Sequence, residues 1–235
     1  MAPRLSPDAV VFDLFGTLVP ELPRSTFYET AARMAEILGA DPSAFRAEWD
    51  RTGMDRQTGA FEDGIAGNVR AICATLEMPE PSAAEIEAAL VPRAAMYRRW
   101  FHPRVGAVEV LLALRARGIP TALISMCAPD TPAMWHASPL GGLMDVEVFS
   151  CEVGLRKPDA AIYRSATDRL GVDPAACLYC GDGAYGELTG ASAVGMQAYL
   201  IRPPDLDVSD LLTPEPEEDW RGPMVADLRD LLAFV

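Results

Sequence analysis

In the stretch VVFDLFGTLVP, residues 10–20, an apolar run stops on one carboxylate, Asp13, and Gly16 and Thr17 then turn the chain. An acid at a strand end costs little when it faces an open rim and would be out of place in a core. On local grounds it could also be a plain strand-to-turn junction, with Asp13 accepting turn amides and Gly16 supplying the bend. Two further apolar runs end the same way, PTALIS on Ser125 and ACLYCGD on Asp182. A carboxylate at such a rim can act as a nucleophile, splitting a displacement into two easier steps through a covalent ester or acyl phosphate.

These residues need elements that bring them together. Strand candidates lie at 10–13, 120–125, 146–150, 176–182, 197–201 and 224–228, and beyond residue 100 they alternate with helical patterns such as AVEVLLALRARG and DAAIYRSATDRLG. The alternation predicts an α/β fold, a doubly wound parallel sheet of Rossmann-like type with helices on both faces. Ligands bind such sheets beyond the carboxyl ends of the strands, so Asp13, Ser125 and Asp182 should converge on one rim. Residues 20–100 read as helices only, punctuated by MPEPS and glycine turns. The expected organisation is a core made of residues 1–19 and 101–235, with a helical cap, residues 20–100, inserted after the first strand as a lid.

Half of the 235 residues are hydrophobic, enough for one large core or a core with a small companion. The formal charge of −14 repels a nucleic-acid backbone. An anionic substrate must therefore be captured by local cations or a metal. The segment TPEPEED, residues 213–219, reads as a solvated loop. No run approaches the roughly 18 apolar residues that span a bilayer, and the N-terminus lacks the features of a secretory signal; a membrane role is not expected. Cys177 and Cys180 have a C-x-x-C spacing, but on a strand they point to opposite faces and belong to the core. Five cysteines, an odd number, fit a cytoplasmic protein. His102 and His136 have no partner suggested by spacing and read as structural.

Four motifs follow one another: FDLFGTL (12–18), ALIS (122–125), GLRKPDAAIY (154–163) and YCGDGAYGELTGA (179–191). In this order they resemble the haloacid dehalogenase-like hydrolase superfamily, in its helical-cap subgroup. The resemblance covers most of the chain, the sheet by motifs and the insertion by position. It implies an Asp nucleophile at Asp13, with Thr17 and Ser125 hydrogen-bonding the transferred group and loop amides around Phe15 and Gly16 assisting. It also implies that Lys157 neutralises charge on Asp13 and the substrate. Asp182 and Glu187 beside a nucleophilic carboxylate repel it unless a cation intervenes, which points to Mg2+ held by Asp13, the Phe15 carbonyl, Asp182 and Glu187.

The chain also departs from the pattern. Phosphatases of the superfamily carry a second Asp where Phe15 stands, and that acid protonates the leaving group and later activates water. Dehalogenases place an aromatic residue there, and Tyr163 matches them too. Asp182 and Ala184, by contrast, fit phosphate and metal chemistry, while Glu187 replaces a shorter Asp. Met126 stands where Asn often follows the Ser. Arg46, Arg51 and Arg56 recur with Trp49 near the carboxylate-binding arginine of dehalogenases, or else form the charged outer face of a helix; Arg51 is the expected substrate contact, with Phe15, Gly16 and Tyr163. The leading reading is a Mg2+-dependent phosphohydrolase acting on a small phosphorylated metabolite, an anionic substrate, as a monomer or homodimer. A metal-independent 2-haloacid dehalogenase is the alternative, and a catalytically weak phosphate-binding or regulatory protein is the third.

Overall fold

The computed structural model describes residues 7–203, 208–212, 217 and 219–235. The start of the N-terminal segment and most of the acidic stretch 213–219 lie outside the described residues. Six parallel strands, β1 (Ala9–Phe12), β2 (Thr121–Ser125), β3 (Val146–Phe149), β4 (Cys177–Gly181), β5 (Gln197–Ile201) and β6 (Met224–Val225), form one sheet in the order β3-β2-β1-β4-β5-β6. Five of the expected strands match closely. The sixth is only two residues long, because Asp227 caps a short 3-10 turn at Leu228–Ala233.

Both faces of the sheet are buried, and the two-residue period sorts its side chains between them. Val10, Phe12, Leu123, Leu178 and Cys180 pack one way, against Val110, Leu111 and Leu114. Ala9, Val11, Ala122, Ile124, Cys177 and Tyr179 pack the other way, against Ile162, Tyr163, Ala166 and Leu188. Cys177 and Cys180 thus lie on opposite faces. The covering helices are α6 (Ala107–Ala116) on the first face and α9 (Ala160–Leu170) and α10 (Glu187–Ala193) on the second.

Before α6 come five helices: α1 (Arg24–Leu38), α2 (Pro42–Arg51), α3 (Gly53–Gln57), α4 (Gly64–Thr75) and α5 (Ala83–Trp100). Asp41 caps α2 by accepting from the Ala44 amide (2.8 Å), and Ser82 with Glu85 forms a capping box at α5. Their apolar stripes meet in a cluster containing Met34, Phe45, Trp49, Val69, Ile72 and Ile86, which one residue from beyond β2, Ala128, completes. Two short helices complete the inventory of described residues, α7 (Thr131–Ala137) and α8 (Ser150–Val153). Neither these nor α3 has enough turns to show a helical period in sequence. Among the described residues no helix is long and apolar enough to cross a membrane.

Candidate active site

Strand order reverses direction of growth at β1, and the site lies beyond the carboxyl ends of β1 and β4, where such sheets open a crevice. The Asp13 amide donates to the Cys180 carbonyl (2.9 Å), which ties the end of β1 to β4 and brings Asp13 beside Asp182. Two glycines make this approach possible. Gly16 sits at φ +78, and a Cβ there would collide with the Asp182 carboxylate. Gly181 leaves the same kind of room for the longer Glu187 side chain. Arg104 holds the turn from outside, donating to the carbonyls of Thr17 (3.2 Å) and Gly16 (3.1 Å).

Lys157 donates to Asp13 Oδ1 and to Glu187 Oε2 (2.6 Å for the latter), and all three side chains are buried. Glu187 is firmly held: Oε2 also accepts from the Tyr179 hydroxyl (2.6 Å) and Oε1 from the Gly183 amide (2.9 Å). Asp182 accepts from the Ala184 amide (2.9 Å). One ligand oxygen from each of Asp13, Asp182 and Glu187 lies within 4.8 Å of the others. Three carboxylates and one ammonium leave a formal excess of two negative charges in a largely buried region that only Asp13 opens to the cavity. Burial, then the Glu187 charge, raises the Asp13 carboxyl from 3.8 to about 7 against the pull of Lys157. Burial, Glu187, Asp13 and Glu21 push the Asp182 carboxyl well above its ordinary value. Burial opposes the charge on Lys157, but Asp13 and Glu187 outweigh it and keep the ammonium protonated. Hard carboxylate oxygens with this charge excess suit a small divalent cation.

A cavity of about 400 Å3 opens over Asp13 and Phe15 and runs under the helices. Phe15 is half-buried, with Tyr97 and Phe101 rings 6.4 and 5.9 Å away. Thr17 and Ser125 are fully buried, and neither hydroxyl has a hydrogen-bond partner among the described residues. Neither residue lies on the cavity wall, and each leaves a buried hydroxyl unsatisfied next to a rim residue of the sheet.

Of the expected substrate contacts, two lie off the cavity wall and one lies at its mouth. Tyr163 is fully buried beneath the site; its hydroxyl donates to the Glu187 carbonyl (3.0 Å) and its ring packs edge-on against Tyr179. It props up Glu187 and does not line the cavity. Gly16 is not on the cavity wall either, being packed against Asp182. Arg51 reaches the cavity mouth, but its side chain is 60% exposed and paired with Glu48 (2.7 Å). Arg56, like Arg93, is a buried cation on this wall; its guanidinium lies 4.0 Å above the Trp49 ring and is bonded to the Trp49 carbonyl (3.1 Å) and the Asn68 amide oxygen (2.7 Å). Burial and the neighbouring Arg93 lower its pKa to about 9. Arg46 lies outside, over Tyr28 and near Asp50.

Other wall residues carried no sequence signal: Arg93, bound to Asp130, and Glu21, Tyr97 and Tyr185. Tyr185 is held at φ +57, and its hydroxyl accepts from Gln57 of α3 (3.0 Å), joining the acidic loop to the helices above. A non-glycine residue in that conformation is a mark of functional loops, but no residue pattern announces it. Glu217, from the stretch expected to be solvated, instead accepts from the amides of Leu188 (2.9 Å) and Thr189 at the start of α10.

A family model for haloacid dehalogenase-like hydrolases matches residues 7–195. The chain is 31% identical over 122 residues to a phosphoserine phosphatase of Thermus thermophilus, a match covering 47% of this chain and 49% of that one. It spans less than half the length of the curated relatives it matches. Among solved structures it is similar to an L-2-haloacid dehalogenase (25% identity, TM-score 0.59, 98% of this chain and 99% of that one). It shares its fold with a phosphatase from Thermococcus onnurineus (18% identity, TM-score 0.66, 96% of each chain).

Proposed function

This chain belongs to the haloacid dehalogenase-like hydrolase family, and from that premise we propose that it is a Mg2+-dependent phosphohydrolase acting on a small anionic metabolite in the cytoplasm. The observation that carries the reading is the set of three buried carboxylates, Asp13, Asp182 and Glu187, facing a single lysine. Asp13 and Asp182 would hold the ion, with the Phe15 carbonyl, while Glu187 chiefly orients Lys157. The ion, when bound, offsets the charge excess and draws electron density from the substrate phosphoryl group.

Asp13 then attacks phosphorus and carries the phosphoryl group as an aspartyl phosphate until water releases it. Thr17 and Ser125 donate their unpaired hydroxyls to the phosphoryl oxygens, and Lys157 balances the charge that builds on the nucleophile. Phe15 has no proton to give. We assign leaving-group protonation to Glu21, the buried acid on the same cavity wall. Residues 20–100 act as the cap over a core of residues 1–19 and 101–235, and Arg56 meets the anionic part of the substrate distant from the phosphate. The five cysteines stand as thiols, which suits a reducing compartment.

The aromatic group of Phe15, Tyr97 and Phe101 favours a second reading, halide displacement from carbon, because a halide departs without a proton. Measuring phosphate release and halide release, each with Mg2+ and with chelator, separates the two. Mg2+-dependent phosphate release is the expected result. Halide release that survives chelation would replace the leading reading with the second.

A further inference from the structure

The geometry points to a dithiol modification site at the cavity wall: Cys127 and Cys151 close an internal disulfide when the protein meets a hydroperoxide. Cys127 lies two residues beyond β2 and Cys151 two residues beyond β3. The register pairs Ser125 with Phe149 at the strand ends; there the chain turns into α8, whose second residue is Cys151, and the two cysteines meet across this junction. Their sulfurs are 3.8 Å apart and share a hydrogen bond. A disulfide bond of about 2.05 Å requires them to approach further.

The two thiols differ in a way that gives each a part. Cys151 is half-buried, and the hydrogen bond from Cys127 lowers its thiol pKa against burial and the charges of Glu152 and Asp130. Cys127 is buried on the cavity wall, and burial pushes its thiol well up. Cys151 as thiolate attacks the peroxide oxygen, gaining an S–O bond while the O–O bond breaks; the departing hydroxide takes up a proton and leaves as water. The Cys127 sulfur then attacks the sulfenic sulfur. The S–O bond breaks, the Cys127 proton goes with the hydroxyl, and a second water departs. Two thiols are oxidised and one peroxide is reduced. The other cysteines offer no such pair: Cys73 lies in the helical cluster, and Cys177 and Cys180 face opposite sides of the sheet.

The bridge would form where the helical layer rests on the sheet. Ser150 accepts from the Cys127 amide (2.9 Å) and donates to the Gln57 carbonyl (2.7 Å). Gly59 packs so closely on the Cys151 carbonyl that a Cβ would collide with it. Oxidation therefore acts on the support of α3, which carries Arg56 and Gln57 to the cavity.

The test is to expose the full chain to hydrogen peroxide, alkylate remaining thiols under denaturing conditions and map the peptides. The expected result is one disulfide joining the Cys127 and Cys151 peptides, reversed by dithiothreitol. Cys151→Ser should yield no bridge, and Cys127→Ser should leave a sulfenic acid on Cys151 that dimedone traps. Alkylation of both thiols after peroxide, or a bridge through Cys73, Cys177 or Cys180, would overturn the inference. Should either variant fail to fold, the peptide map of the wild-type chain decides alone.

Discussion

One ammonium serves two carboxylates at Lys157, and a third acid stands beside them, so each side chain here has a distinct and separable consequence. Asp13→Asn removes the nucleophile while keeping the shape, and phosphate release should fall below detection with the melting temperature nearly unchanged. Activity within tenfold of wild type, deamidation excluded, would end the proposed mechanism. Phe15→Asp places a carboxyl group where related phosphatases keep their acid and base. Hydrolysis of sugar phosphates, whose leaving groups need a proton most, should rise more than that of aryl phosphates. A well-folded, Mg2+-binding variant with lower phosphatase activity would argue for halide chemistry. The arginines give a contrast: Arg56→Gln should raise KM by about tenfold or more, the scale of a buried charged hydrogen bond. Arg51→Gln should change it by less than about twofold, because an exposed pair contributes little. Steady-state kinetics of the two variants, side by side, checks the assignment. Equal effects would return the substrate contact to the cavity mouth.

At the scale of elements, sequence pattern located the strands because each has a short apolar run bounded by turn residues, and the parallel sheet buries both faces. It located the long helices between β1 and β2 because their apolar residues recur each turn. It could not give the four- to seven-residue helices α3, α7 and α8, which are shorter than the roughly 11-residue window over which a helical period shows. The same limit explains the site. Asp13, Ser125, Lys157 and Asp182 were legible because strand ends and motif order place them. Arg56 was not separable from Arg46 and Arg51, since only the packing of α3 between α2 and α4 decides which of the three is buried over Trp49. Tyr163 carried a sequence match but no information on which side of Glu187 it would lie. Trp49 itself stacks on Phe45 at 5.9 Å in the centre of the helical cluster. Trp49→Ala should destabilise the chain by about 3–5 kcal/mol, measured by urea unfolding. A loss under about 1 kcal/mol would mean that the cluster is not a packed core.

For the whole molecule, the buried acids set how stability depends on pH. Asp13 titrates at about 7 in the folded chain against 3.8 ordinarily, so the folded state keeps a proton that the unfolded state has released. That contribution is complete below about pH 4 and is lost as the pH rises towards 7; Asp182 acts in the same direction. In chelator the melting temperature should therefore fall between pH 5 and pH 7.5, and saturating Mg2+ should recover it by binding the native state. Asp182→Asn should flatten the slope and reduce the Mg2+ shift. A pH-independent melt in chelator would contradict the charge balance described here. The placement of Ala128 has a different kind of consequence. It follows β2, yet it is 7% exposed because it fills part of the cluster formed by the helices of residues 24–100. That helical layer is contiguous in the gene but not self-sufficient in its packing. A chimera that transplants the helices alone onto another sheet scaffold would leave a hole at this position, so exchanging specificity between relatives by grafting calls for a two-piece graft that brings Ala128 along.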